Sequence, residues 1–213
     1  MRLTHAVFDV DDTLYPRDCG LWDALAANID RFMLEIVGLP PGEVSAQRMH
    51  YYRNYGTTLN GLLHDYPDLD RSAYLQFVHA VPYEQYLRPD PVLDTMLSEM
   101  PLKLAIFTNA DTRHAERVLE HLGIRRHFDT FVDIIATGFV NKPRHGAYRT
   151  LFRTLGAQPH DCVLVEDSIR NIKLARELGM TTVRVGASAD DDDAHFQVES
   201  VHAVGAVISR LLA

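Results

Sequence analysis

Five short apolar runs constrain how this chain can fold: THAVFDV (4–10), LKLAIFT (102–108), TFVDIIA (130–136), CVLVED (162–167) and TTVRVG (181–186). Most are continuous rather than alternating in polarity, as strands covered on both faces are, and they are rich in β-branched and aromatic residues. The segments between the last four carry helical spacing. Ala115, Val118, Leu119 and Leu122 precede Gly123; Ala147, Leu151, Phe152 and Leu155 precede Gly156; Ile169, Ile172, Leu174, Ala175 and Leu178 precede Gly179. A glycine just past the last apolar position is a helix stop. Strand–helix–strand repetition predicts an α/β fold, a Rossmann-like parallel sheet with right-handed crossovers and helices on both faces.

The gap between the first run and the second is too long for one crossover. Residues 17–88 read as mostly helix, in GLWDALAANIDRFMLEIVGL, GEVSAQRMHYYRNYG, LNGLLHDY and DRSAYLQFVHAV, with turn signals at Gly38 to Gly42 and at Pro67-Asp68. A structureless loop of that length is improbable in a compact domain. The expected organisation is a core from residues 1–16 and 89–213, interrupted by a helical unit over 17–88. The acidic stretch ADDDD (189–193) reads as a solvated loop, since no histidine or glutamate at ligand spacing accompanies it.

A net charge of −8 and a pI near 5.7 argue against nucleic acid polymers or an anionic membrane as partners, because both need a basic face. A small phosphorylated metabolite remains compatible, since a few local cations or a metal suffice to hold it. Two cysteines, Cys19 and Cys162, make no disulfide framework. The N-terminal MRLTHAVFDV lacks the long apolar core of a signal peptide, and no run has the length to cross a bilayer. These features predict a cytoplasmic protein, a monomer or homodimer.

Ligands of an open parallel sheet bind outside the carboxyl ends of its strands. The residues just past the apolar runs are therefore the candidates. They are Asp9, Asp11 and Thr13 after the first, Thr108 and Asn109 after the second, Lys142 beyond the third, and Glu166 and Asp167 at the fourth. Carboxylates crowded together favour protonating one member, binding a cation, or both. Carboxylates with a hydroxyl, an amine and no His or Cys set suit Mg²⁺ better than Zn²⁺. Such a rim matches phosphoryl transfer, which needs neutralised charge and in-line positioning, and for which aspartate is a known nucleophile.

Four stretches carry a family resemblance. FDVDDTLY resembles the first motif, D-x-D-x-T, of the haloacid dehalogenase-like hydrolases; IFTNA resembles the second, NKP the third and VLVEDSIRNI the fourth. All four stand in order, each at or just beyond the end of an expected strand, and the insertion resembles the family's helical cap of the first type. The resemblance implies that Asp9 attacks phosphorus and that Asp11 is the general acid and then the base, its backbone carbonyl also binding Mg²⁺. It implies that Thr108 and Lys142 hold the phosphoryl oxygens, that Asn109 contributes to substrate binding, and that Asp9, Asp167 and, through water, Glu166 hold the Mg²⁺. Many members carry a further aspartate where this chain has Asn171. Dehalogenases lack an acid at the position of Asp11, so its presence favours phosphate esters. Asp12 is expected to face solvent or cap the next turn.

The stretch HYYRNYGTTLNGLL (50–63) offers Tyr52, Arg53 and Tyr55 as groups able to stack on and bond a nucleobase. Together with the flanking motifs it resembles the pyrimidine 5′-nucleotidases, which implies a pyrimidine nucleoside 5′-monophosphate as substrate. The alternatives are a phosphatase or phosphomutase for a sugar phosphate or phosphoglycolate, and a phospho-accepting regulatory module, which would have no use for Asp11. His64, His79, His114 and His145 are scattered without ligand spacing and receive no role.

Overall fold

The computed structural model describes residues 3–186 and 193–213. The chain divides into two compact units, Met1–Cys19 with Leu87–Ala213, and Gly20–Tyr86. The first holds a six-stranded, all-parallel sheet. Its strands are β1 (His5–Phe8), β2 (Lys103–Phe107), β3 (Thr130–Val132), β4 (Cys162–Glu166), β5 (Thr181–Val185) and β6 (Phe196–Val198), in the order β3-β2-β1-β4-β5-β6. The second unit is helical, with α1 (Leu21–Glu35), α2 (Val44–Tyr55), α3 (Thr58–Asp65), α4 (Arg71–Val78) and a single turn, α5 (Tyr83–Tyr86). The sheet unit carries α6 (Pro91–Ser98), α7 (Thr112–Leu122), α8 (His145–Leu155), α9 (Ile169–Glu177) and α10 (Val204–Leu212).

The continuous apolar runs became the central strands. Every residue of β1 and β4 is buried, and β1 pairs with both β2 and β4 in register, Phe8 beside Ile106 on one side and Val165 on the other. Successive connections run outward in one direction through β2 and β3, and in the other through β4 and β5. Right-handed crossovers then require α7 on one face and α8 and α9 on the other. The core bears this out on the second face, where Val7, Phe107 and Leu164 pack with Ala147, Leu151, Leu174 and Ala175. The order reverses between β1 and β4, so the crevice beyond their carboxyl ends is the topological switch point where such sheets bind ligands.

One run is shorter than its composition suggests. TFVDIIA yields a strand only at Thr130–Val132. The Asp133 carboxylate then accepts hydrogen bonds from Thr112 N and Oγ1 at 2.8 Å each and from Ala136 N at 2.7 Å, which turns the chain away from the sheet. Neither β6 nor α10 is among the elements the apolar runs define: β6 has three residues, all half-buried. Of ADDDD, residues 189–192 lie outside the described part, while Asp193 pairs with Lys173 at 3.2 Å.

In the helical unit Phe32 of α1 meets Tyr74 and Phe77 edge-on, with ring centroids 5.0 and 5.5 Å away. Helix α3 crosses α2 at Gly61, where an added Cβ would lie 2.2 Å from the Tyr51 ring. Tyr51 is buried and donates to Asp65 at 2.6 Å. Thr57 and Asp70 cap α3 and α4 through their side chains, as residues of their type do at helix starts. Among the described residues no helix is long and apolar enough to cross a membrane.

Candidate active site

The switch point gathers most of the residues that the ends of the apolar runs singled out, Asp9, Lys142, Glu166 and Asp167 foremost. Asp9 follows β1 directly, its N–H donating to Val165 O of β4 at 3.0 Å, and it is 7% exposed. Lys142 arrives from the loop after β3 and is 2% exposed. Its Nζ donates to Asp9 Oδ1 at 2.7 Å, to Glu166 Oε2 at 2.8 Å and to Phe107 O at 2.6 Å. A buried ammonium with its three donors satisfied ties the ends of β1, β2 and β4 together. Asn109 fixes the loop that brings Lys142 in: its Oδ1 accepts from Lys142 N at 2.7 Å and its Nδ2 donates to Lys142 O at 3.2 Å. Thr108, buried at the end of β2, accepts from Ala110 N at 3.0 Å through Oγ1.

Glu166 is fully buried and has a partner on each oxygen. Oε1 accepts from Ser168 N at 3.1 Å, and Oε2 from Asn171 Nδ2 at 3.0 Å as well as from Lys142. Asn171 is therefore a donor to the acidic pair, where the family's usual aspartate would be a third acceptor. Tyr148 in turn donates to Asn171 O at 2.8 Å. Thr13 Oγ1 lies 3.4 Å from Asp9 Oδ2 and 3.5 Å from Asp167 Oδ1, bridging the ends of β1 and β4.

Charge in this pocket is unbalanced. Burial, then the neighbouring Glu166 carboxylate, raises Asp9 to about 7 against the opposing pull of Lys142. Glu166 is raised to about 7 by burial, and Asp167 to about 6 by burial and then Asp9. Burial alone would lower Lys142, but Asp9 and Glu166 outweigh it and hold the ammonium charged. One cation thus faces three carboxylates. Asp9, Glu166 and Asp167 present oxygens within 4.8 Å of one another, an all-oxygen donor set of the kind that fits Mg²⁺.

The Asp11 carboxyl group is held elsewhere. Its Oδ1 accepts from Tyr15 Oη at 2.6 Å and lies 2.7 Å from Nε2 of His114, which is fully buried on α7. The sequence gives no sign of either partnership, because Asp11 and His114 lie 103 positions apart and a single histidine on an apolar helix face usually packs. Asp12 corrects an expectation. It takes a left-handed backbone, φ +59°, and its side chain is only 9% exposed and donated to by Arg17 at 3.1 Å, rather than facing solvent. Aspartate is among the few residues that tolerate that conformation.

Tyr52, Arg53 and Tyr55 all lie on α2 of the helical unit. Tyr52 and Arg53 stand on its surface, and Tyr55 packs on His64 with ring centroids 4.9 Å apart. Tyr51, from the same stretch, is core.

The sequence profile of the haloacid dehalogenase-like hydrolases matches residues 3–179, spanning all four motif stretches. The chain belongs to that family. Among curated relatives of this chain, Phosphate metabolism protein 8 of Saccharomyces cerevisiae is 27% identical over 187 residues. That match covers 81% of this chain but 58% of the yeast protein, so the chain spans less than two thirds of that relative. A glyceraldehyde 3-phosphate phosphatase of Methanopyrus kandleri is 30% identical over 215 residues, 91% of each chain. The solved L-2-haloacid dehalogenase of Xanthobacter autotrophicus shares the fold at a TM-score of 0.64 and 18% identity, covering 97% of this chain and 98% of its own. That likeness shows the fold.

Proposed function

We propose that the protein is a Mg²⁺-dependent phosphatase that hydrolyses the phosphate monoester of a small metabolite through an aspartyl-phosphate on Asp9. The observation that carries this reading is Asp9 itself, buried against Lys142 at the switch point with Asp11 two residues on. An Asp9 oxygen attacks phosphorus as the bond to the leaving oxygen breaks, and Asp11 gives that oxygen its proton. Asp11, now a carboxylate, takes a proton from water as the water oxygen attacks phosphorus. The bond to Asp9 breaks, inorganic phosphate leaves and both aspartates return to their starting states. Thr108 and Lys142 hold the phosphoryl oxygens, and Lys142 also orients Asp9. Asp9, Asp167, the Asp11 carbonyl and, through water, Glu166 would hold the Mg²⁺, which supplies charge neutralisation when bound. A halide would leave without a proton, so Asp11 argues for esters.

Selectivity is assigned to the inserted helical unit over residues 17–88. Tyr52 and Arg53, exposed on α2, support a pyrimidine nucleoside 5′-monophosphate, since a flat ring and a guanidinium suit a base and its edge. A second reading, a phosphorylated short sugar, draws on the Methanopyrus relative that matches 91% of the chain. Phosphate release by the purified protein tests both. The panel is UMP, CMP, AMP, glyceraldehyde 3-phosphate, fructose 1-phosphate and phosphoglycolate, with and without Mg²⁺, with Asp9→Asn as the blank. Mg²⁺-dependent turnover that Asp9→Asn abolishes is expected, with kcat/KM ranking the two substrate readings. Full turnover by Asp9→Asn would refute the mechanism.

A further inference from the structure

The mechanism above uses Asp11 but gives no task to the two buried side chains that hold it, Tyr15 and His114. They come from two distant stretches. Tyr15 comes from the loop after β1 and is 3% exposed, its ring and hydroxyl folded back to Asp11 four residues earlier. His114 stands in the first turn of α7, and that turn is anchored twice. Asp111, itself buried, caps the helix by accepting from His114 N at 2.9 Å, and Asp133 accepts from both Thr112 N and Thr112 Oγ1 at 2.8 Å. The helix start is therefore fixed in the backbone, and the imidazole projects from it to Asp11 at 2.7 Å with none of its side chain exposed.

As the carboxylate that takes a proton from water, Asp11 can only accept, so in that form Tyr15 Oη donates to Oδ1, and His114 Nε2 donates to the same oxygen in the tautomer that carries its proton there. Charge-assisted bonds at 2.6 and 2.7 Å are short and directional. Two of them on one atom, from groups held by separate parts of the fold, leave the carboxyl group little rotational freedom. They also fix its chemistry, because a proton on Oδ1 would collide with two donors, and proton exchange therefore falls to Oδ2. We propose that His114 and Tyr15 are positioning residues for proton transfer: they clamp Asp11 by Oδ1 so that Oδ2 meets the leaving oxygen. The proposal rests on the reading of Asp11 as the general acid. Positioned groups are worth far more in proton transfer than free ones, since a small misplacement already costs rate.

The signature of such a clamp is dependence on the leaving group. A general acid matters little when the departing oxygen is a good leaving group and much when it is an alkoxide. The experiment measures kcat/KM, which reads through the first irreversible step, for the full-length protein in Mg²⁺. The substrates are phosphate monoesters graded from p-nitrophenol through phenol to an aliphatic alcohol, and the enzymes are wild type, Asp11→Asn, His114→Leu, His114→Gln and Tyr15→Phe. General acids contribute about 10²- to 10⁴-fold. Asp11→Asn is accordingly expected to steepen the dependence by about that factor across the series. His114→Leu and Tyr15→Phe should each lose about tenfold more on the alkyl ester than on the p-nitrophenyl ester. His114→Gln keeps an N–H donor near the place of Nε2 and should recover most of the wild-type slope.

Each result has one reading. Losses in His114→Leu and Tyr15→Phe that are equal across all esters, beside a steep Asp11→Asn, overturn the clamp and leave the phosphatase mechanism standing. A flat Asp11→Asn overturns the assignment of Asp11 as the acid, and the clamp with it. Should His114→Leu not fold, Tyr15→Phe, which keeps its buried ring, decides the question alone.

Discussion

Replacing Asp167 by asparagine should stabilise the metal-free protein at alkaline pH. The carboxyl of Asp167 is raised from 3.8 to about 6, by burial first and the Asp9 charge second. A raised acid binds its proton more tightly in the folded than in the unfolded chain. Below about pH 4 both states are protonated and the group contributes nothing. Between about pH 4 and 6 the unfolded chain ionises while the folded one resists, so stability falls as pH rises; above 6 the whole penalty is present. A shift of about two units at 1.36 kcal/mol each makes that penalty about 3 kcal/mol. Asparagine keeps an oxygen for the Thr13 hydroxyl, which lies 3.5 Å from Asp167 Oδ1, and removes the charge.

Thermal unfolding in EDTA is the assay, at about pH 8 and about pH 4.5. At about 2–4 °C per kcal/mol for a chain of this size, the variant should melt about 6 °C or more above wild type at the higher pH. The gain should largely vanish at the lower one. Saturating Mg²⁺ should shrink or reverse the order, because a ligand that binds only the folded state stabilises the protein that keeps its site. A variant no more stable than wild type at about pH 8 in EDTA would refute the claim that the acidic cluster is under-compensated without a cation.

Two further substitutions probe neighbouring parts of the argument. Asn171→Asp replaces the donor on Glu166 Oε2 by a second carboxylate, and should cost about 1–3 kcal/mol in urea unfolding without metal at about pH 8, and less at about pH 5. Gly61→Ala sets a methyl 2.2 Å from the Tyr51 ring at the α2–α3 crossing. Overpacking of this kind costs about 1–3 kcal/mol or more, and limited proteolysis should find Gly20–Tyr86 cut earlier than the sheet unit.

The strands of the sheet were legible because a parallel strand, covered on both faces, has to be apolar along most of its length, and β1 and β4 are, apart from His5 at the start of one and Glu166 at the end of the other. The ends of those strands pointed to Asp9, Lys142, Glu166 and Asp167, and the structure brings all four together. TFVDIIA misled in length because an apolar run does not show that Asp133 will bond Thr112 across 21 positions and end the strand. Aromatic content likewise could not separate Tyr51, which packs against Gly61, from Tyr52, which does not lie in the core.

The sequence by itself determined the α/β alternation, the insertion and the four polar stretches at or just beyond the strand ends, because periodicity and local spacing are properties of neighbours along the chain. Only the tertiary structure decided what each charge faces. That Lys142 reaches three strand ends, that Asn171 donates to Glu166 and that His114 meets Asp11 are contacts between residues 5 to 133 positions apart. Such contacts are set by how the helices pack on the sheet, and no local pattern encodes them.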